Sequence, residues 1–114
     1  MRGLPYSPSK KVCSRVSKVS LRIFKDAKYT LVAVCDSELL GATFREGKLK
    51  LEVKVDFYKG VSTSIPEALQ AIDGADIANL VGEGIVEAAV QGGFVDPSAI
   101  VRIGGVPHVQ MIRM

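Results

Sequence analysis

The sequence predicts an α+β domain in which a mostly antiparallel sheet of about five strands carries two helices on one face. Three observations predict it. Apolar and polar residues alternate with a period of two in the first half of the chain, the period becomes helical after Ser64, and a Gly-Gly pair separates two apolar runs near the C-terminus. Since strands and helices follow one another as β-β-β-α-α-β-β, they are expected to form separate layers.

Three strands are predicted before the helices. Residues 18–23 alternate between apolar and mostly basic side chains, and residues 29–36, "YTLVAVCD", are apolar on both faces, as in a central strand. "DSELLG" then predicts one helical turn closed by Gly41. Residues 47–60, "GKLKLEVKVDFYKG", show the cleanest alternation and predict one half-buried strand with Tyr58 on its polar face.

The first predicted helix begins with a capping box. Ser64 is followed three residues later by Glu67, and Pro66 lies in the first turn, where its missing N–H does no harm. The helix is expected to run to about Ile72 and to stop at Gly74.

The second predicted helix covers residues 77–91, "IANLVGEGIVEAAVQ", with Asp76 as its cap and the glycine pair at 92–93 as its end. Gly82 and Gly84 would then lie inside it, where each costs about 1 kcal/mol relative to Ala. We expect close approach of this helix to the sheet as the reason, with backbone exposed to a ligand or RNA as the alternative.

A hairpin is predicted at the C-terminus, because Gly104 and Gly105 form a two-residue loop of the kind that primed turns require. Ile103 and Val106 would be its hydrogen-bonded pair, which turns the nitrogen of Pro107 away from the partner strand. The last strand is therefore either an edge near Pro107 or has a second neighbour that begins later.

His108, the only histidine, is expected with Gln110 on the face opposite the core-facing pair Val109 and Met111. An imidazole can act as a general base, but neither a nucleophile motif nor a second histidine accompanies it. Cys13 and Cys35 have no metal-ligand spacing and predict reduced thiols. Neither a P-loop nor a dinucleotide-binding fingerprint is present, so no catalytic residue, metal or cofactor is assigned.

Charge is distributed unevenly along the chain. Residues 1–28 carry eight basic side chains and one acid, whereas residues 29–99 carry five basic and eleven acidic side chains. A basic arm on a mildly acidic body is typical of proteins that meet polyanions, although a solubilising tail has the same composition. We expect residues 1–17 to be a Pro- and Ser-containing extension, disordered unless bound, and residues 18–114 to be a single domain.

RNA contact is predicted through phosphates rather than bases. Lysines and arginines neutralise phosphates without sequence preference, while the few aromatic residues favour recognition of shape over base stacking. The alternative is that Glu52 and Asp56 pair with the strand lysines in an ordinary solvated face. The predicted contacts are Arg2, Lys10, Lys11, Arg15, Lys18, Arg22, Lys48, Lys50 and Lys54.

Three stretches together resemble an archaeal family of small proteins described as domain of unknown function 424. They are "LLGATFREGKLKLEV" (39–53), "IANLVGEGIVEAAVQGGFVDP" (77–97) and "IVRIGGVPH" (100–108), and the resemblance covers roughly residues 18–114. It supplies no established reaction; it implies an archaeal cytosolic setting. Where the family pattern continues with a charged residue after "NLVGE", this chain has Gly84. The residues that fall in the motifs are Gly41, Phe44, Arg45, Glu46, Gly47, Asn79, Gly82, Glu83, Gly104, Gly105, Pro107 and His108.

The polar motif residues form a candidate cluster at one end of the sheet: Arg45, Glu46, Asn79, Glu83 and His108. Arg45 could bind a phosphate or carboxylate. Alternatively, the cluster is a structural network that pins helix to hairpin through a Glu83–Arg45 ion pair, and we favour this interpretation.

These observations predict a non-enzymatic, cytoplasmic, RNA-associated protein, bound to the ribosome or translation machinery of an archaeon with protein neighbours in the same particle. The scarcity of Asn and Gln, four in all, hints at a thermophile. The absence of a long apolar run argues against a membrane. One alternative is a protein–protein adaptor that uses a sheet edge near Pro107 and a helix face; the other is a small enzyme that uses Arg45, Glu83 and His108.

Overall fold

A computed structural model describes residues 18–113, so the predicted extension 1–17 and its basic residues lie outside the described part of the chain. The strands are β1 Lys18–Lys25, β2 Thr30–Asp36, β3 Thr43–Glu46, β4 Leu49–Glu52, β5 Val61–Ser64, β6 Ile77–Val81, β7 Val101–Ile103 and β8 Val106–Ile112. The helices are α1 Val55–Tyr58, α2 Ile65–Asp73 and α3 Glu83–Gln91, with 3-10 turns at Ser37–Leu39 and Pro97–Ala99.

Six strands form one mixed sheet in the order β5-β1-β2-β6-β8-β7, and β3 and β4 form a separate two-stranded ribbon. All neighbours in the main sheet are antiparallel except β2 and β6, which are parallel. The predicted α+β class and mostly antiparallel sheet are confirmed. The strand number is larger than the five predicted, because β3, β5 and β6 were not recognised as strands.

The main sheet has two buried faces. On the helix face, α2 and α3 cover a core that includes Val32, Leu80 and Val109. On the ribbon face, α1 and the ribbon cover a second core that includes Cys35 and Val81. None of the helices within residues 18–113 is long and apolar enough to cross a membrane.

The single strand predicted over residues 47–60 is wrong beyond Glu52. The ribbon ends there, Val53 is tied back by hydrogen bonds to Gly41 and Ala42, and residues 55–58 form the short helix α1. Tyr58 is buried rather than on a polar face. Alternation breaks because α1 packs its aromatic side chains against β1 instead of continuing the ladder.

Residues 77–91 form a strand followed by a helix, not one helix. The segment 77–81 is β6, a central strand with neighbours on both sides. Both faces of the sheet are covered there, so the segment is mostly apolar on both faces, a pattern that a buried helix shares. Asp76 does not cap a helix; its carboxylate accepts a hydrogen bond from the backbone N–H of Thr30 at 2.8 Å. Gly82 marks the boundary with a φ of 120°.

The predicted start of α2 is confirmed, with the capping box between Ser64 and Glu67 and with Pro66 in the first turn. The helix ends at Asp73, before Gly74. The local capping sequence was therefore sufficient to predict where α2 begins.

The predicted C-terminal hairpin is also confirmed, with Ile103 paired to Val106. β6 pairs with the other side of β8 from His108 onward, which leaves Pro107 outside that ladder. The second alternative for Pro107, a later neighbour, is therefore the correct one. Within residues 18–113 the outer strands of the sheet are β5 and β7, so the edge that the adaptor hypothesis placed near Pro107 is not found there.

Candidate functional site

The hairpin turn at Gly104 and Gly105 is held by the ribbon. Oε1 of Glu46 accepts a hydrogen bond from the backbone N–H of Gly104 at 2.9 Å. A Cβ on Gly104 would lie 3.3 Å from the carbonyl oxygen of Arg45, so the main chain of β3 lies directly against the turn. Two members of the predicted polar cluster, Arg45 and Glu46, are thus brought to the glycine pair.

Glu83 contacts the same turn from the helix face. Its Oε2 lies 2.7 Å from Nη1 of Arg102, and that nitrogen also donates to the carbonyl oxygen of Gly105 at 3.4 Å. The expected partner was Arg45, but β7 carries Arg102 to the first turn of α3 while Arg45 lies on the ribbon. Both side chains are exposed, so solvent screens the pair and it adds little stability.

Asp36, which the sequence analysis did not single out, caps α3 from the neighbouring strand. Its carboxylate accepts hydrogen bonds from the backbone N–H of Gly84 at 2.9 Å and of Ile85 at 3.1 Å. A Cβ on Gly82 would lie 2.4 Å from Cγ of Asp36. Gly82 therefore ends the strand and makes room for the Asp36 carboxylate, rather than lying inside a helix as predicted.

Burial is the main influence on Asp36. The side chain is 8% exposed, and this desolvation raises the pKa of its carboxyl. The two backbone N–H groups oppose the shift, while the negative charges of Glu38 and Glu83 add to it. Asp36 is therefore a buried carboxylate whose two oxygens each accept one backbone hydrogen bond from α3.

A cavity of about 100 Å³ lies beside Asp36. It is lined by Asp36, Glu38, Leu39, Glu83, Gly105, Val106 and Pro107. Within residues 18–113, no three His, Cys, Asp or Glu side chains are placed to hold a metal ion. With Asp36 and Glu83 already engaged in capping and in the ion pair, the arrangement around the hairpin turn acts as a network that joins ribbon, hairpin and α3.

His108 and Asn79 lie on the ribbon face of the sheet. Val81 is opposite His108 and Asn79 is opposite Gln110, and neither His108 nor Asn79 has a side-chain hydrogen-bond partner among residues 18–113. Burial lowers the pKa of His108 and so favours its neutral form. Of the predicted trio of Arg45, Glu83 and His108, Glu83 lines the cavity beside Asp36 and is paired with Arg102 rather than with Arg45.

Two of the predicted RNA-contact residues lie on β1. Lys18 is exposed at its start. Arg22 is half-buried: its Nη1 donates to the carbonyl oxygen of Asp56, and its guanidinium lies 4.5 Å from the centroid of the Phe24 ring. Helix α1 covers this side of β1, so the expected open basic strand face is closed in its middle.

The remaining described RNA-contact residues lie on or just after the ribbon. Lys48 is in the ribbon turn, Lys50 is on β4 and forms a 3.7 Å ion pair with Glu52, and Lys54 is exposed before α1. β4 does not pair with β1, so these lysines do not extend the basic surface of β1. Arg2, Lys10, Lys11 and Arg15 lie outside the described residues.

The end of the ribbon face near the β1–β2 turn is open. A shallow cavity of about 240 Å³ is lined there by Phe24, Lys25, Asp26, Tyr29, Leu31 and Ile77, a set that we call the Tyr29 surface. The side chain of Tyr29 is 44% exposed. Local sequence did not indicate this site, because its exposure depends on where α1 and the ribbon stop covering the sheet.

Comparison with known proteins gives a family and a related structure. The model of a family described as "Protein of unknown function (DUF424)" matches residues 24–114. The crystal structure of an uncharacterized conserved protein from Methanopyrus kandleri is similar, with a TM-score of 0.69 and 28% sequence identity over 85% of this chain and 95% of that chain. Among curated proteins, none matches the chain.

Proposed function

The chain belongs to this family of unknown function, and from that premise we propose that it is a non-enzymatic RNA-associated protein bound to the ribosome or translation machinery of an archaeon. The observation that carries the proposal is the charge of its first 28 residues, which hold eight basic side chains and one acid. Such a tract attracts phosphates by counterion release, without a recognition motif.

The described part of that tract keeps several cations available. Lys18, Lys25 and Lys28 are exposed on β1 and in the turn that follows, and Lys18 continues directly into the basic extension. Since Arg22 is engaged with α1 and Lys50 with Glu52, the extension and these three lysines carry most of the proposed phosphate contact. The ribbon lysines then have a secondary role.

The association with translation is tested in a native lysate. The protein should co-sediment with ribosomal particles in a sucrose gradient at low salt and should move to the top after RNase treatment or at high salt, because phosphate contacts are screened. A position at the top at every salt concentration would contradict the proposal. Co-sedimentation that resists both RNase and high salt would instead indicate protein–protein docking.

The role of the extension is tested by the salt dependence of RNA binding. Deleting residues 1–17 should lower the slope of log K against log salt by about 0.7–0.9 for each lost phosphate contact. The control keeps the length and replaces Arg2, Lys10, Lys11 and Arg15 with Gln; it should reproduce the deletion. A slope that neither change alters would remove the extension from the binding surface.

A further inference from the structure

The turn from Lys25 to Tyr29 is a preorganised loop at the open end of the ribbon face. Oδ1 of Asp26 accepts hydrogen bonds from the backbone N–H of Lys28 at 2.8 Å and of Tyr29 at 2.9 Å, and the N–H of Asp26 donates to the carbonyl oxygen of Tyr29 at 3.1 Å. These bonds fix the backbone that carries the Tyr29 ring and the two lysines. The backbone of this loop therefore needs little ordering when a ligand binds.

An aromatic cluster lies beside this loop. The Phe24 ring, half-buried, is stacked on Phe57 with centroids 5.3 Å apart, and the Arg22 guanidinium lies over Phe24. Phe24 is thus held in place by its neighbours, whereas Tyr29 is 44% exposed. The floor between them is apolar, formed by Leu31 and Ile77.

The residues around this floor complement an anionic chain that carries flat, apolar side groups. Lys25 and Lys28 are exposed on either side of the Asp26 turn, and the single acid of the Tyr29 surface, Asp26, uses one oxygen to hold the loop. The cavity of about 240 Å³ is smaller than the roughly 300–1,000 Å³ of pockets that enclose a small molecule. It has room for one flat ring of a longer chain.

We propose that the Tyr29 surface binds single-stranded RNA, with one unpaired base stacked on Tyr29 above Leu31 and Ile77 and with the flanking phosphates at Lys25 and Lys28. This inference rests on the proposed function and specifies its target. It departs from the expectation of shape recognition alone, because the fold gathers aromatic residues that are separated in sequence. Base–aromatic stacking tolerates any base, so the site selects unpaired strands rather than a sequence.

The test compares a single-stranded oligouridylate with an RNA duplex of the same length by fluorescence anisotropy, on the full chain. Tyr29→Leu keeps an apolar side chain but removes the π face, so it should weaken binding of the single strand about 5-fold or more, the lower end for one base–aromatic stack. Tyr29→Phe should bind like the wild type. The slope against salt should be unchanged in both, since neither removes a phosphate contact.

A control is Ile23→Ala, which removes an exposed apolar side chain from β1 on the opposite face of the sheet. This variant should leave the affinities for the single strand and for the duplex unchanged. The double variant Lys25→Ala/Lys28→Ala should lower the salt slope for the single strand by about 1.4. Thermal unfolding of each variant checks that the fold is retained.

The outcomes separate the two proposals. If the wild type binds RNA and Tyr29→Leu binds equally well, or if Tyr29→Leu weakens duplex and single strand alike, the stacking site is overturned while RNA association stands. If the wild type binds neither RNA, the proposed function is overturned as well, and the Tyr29 surface is left to a protein partner.

Discussion

On the helix face of the sheet, α2 and α3 cover the middle of the strands, where Val32, Leu80 and Val109 are at most 2% exposed. On the ribbon face, a four-residue helix and a two-stranded ribbon cover only part of the strands, and Tyr29 and Ile112 are 44% and 59% exposed at the open end. The two faces of the same sheet thus differ: the helix face has a closed core, and the ribbon face is only partly covered.

The difference indicates where stability and binding are located. The apolar stripes of α2 and α3 had to be buried for the domain to fold, and they find their partners within the chain. The open end of the ribbon face keeps apolar and aromatic residues in contact with water, and contiguous exposed patches of this kind mark interaction sites more often than isolated exposed residues do. The predictions below test this division.

The largest expected effect comes from the closed core. Leu80→Ala should lower the free energy of unfolding by about 2–5 kcal/mol, because it removes fully buried methyl groups and leaves a cavity. Ile112→Ala, at the open end, should cost less than about 1 kcal/mol because the side chain is already largely hydrated. Urea unfolding of both variants measures the difference. Equal losses would mean that Ile112 is covered and that the two faces do not differ in this way.

A smaller loss is expected where the two faces meet. Gly82→Ala should cost about 2–3 kcal/mol, since the backbone conformation is one that only glycine adopts easily and the new Cβ would displace the Asp36 cap. Gly93→Ala is the matched control, with a φ of 80° and nothing within 4 Å of the added Cβ. It should cost only about 1–2 kcal/mol, the backbone cost alone. Similar losses of unfolding free energy for the two variants would mean that the Asp36 side chain moves aside at little cost.

Elements with strong local signals were predictable from the sequence. Three predicted elements are confirmed, each with a signal that lies within a few residues: the capping box at Ser64, the Gly-Gly turn at 104–105 and the strand predicted over 29–36, which is observed as Thr30–Asp36. The segments that failed depend on distant partners. β6 is a strand because β2 and β8 pair with it, and α1 is a helix because Phe57 packs on Phe24.

The candidate site divides in the same way. Glu46 bonds to Gly104 directly, and Glu83 reaches Gly105 through Arg102. Asp36 was missed, since its capping role exists only once β2 and β6 lie parallel with their carboxyl ends together. The exposed position of Tyr29 was missed because no local sequence pattern indicates which part of a sheet face remains uncovered.

The smallest expected effect is the pH dependence of Asp36, which lies at the junction of the two faces. Because burial raises its pKa in the folded state above that in the unfolded chain, the folded protein binds the proton more tightly. Stability from this group is therefore fully present below the ordinary carboxyl pKa and is lost as the pH rises through the raised value. Asp36→Asn should remove this loss, which is a fraction of the roughly 1.4 kcal/mol per pH unit that one whole proton gives. Backbone hydrogen bonds lower the pKa values of Asp26 and Asp96, so these carboxyls change stability with pH in the opposite direction. Because they do so in wild type and variant alike, the measurement is the difference in urea midpoint between the two proteins from pH 3 to pH 7. An identical pH profile for the two would show that the Gly84 and Ile85 N–H groups compensate fully for burial and that Asp36 is a cap without a pH-dependent role.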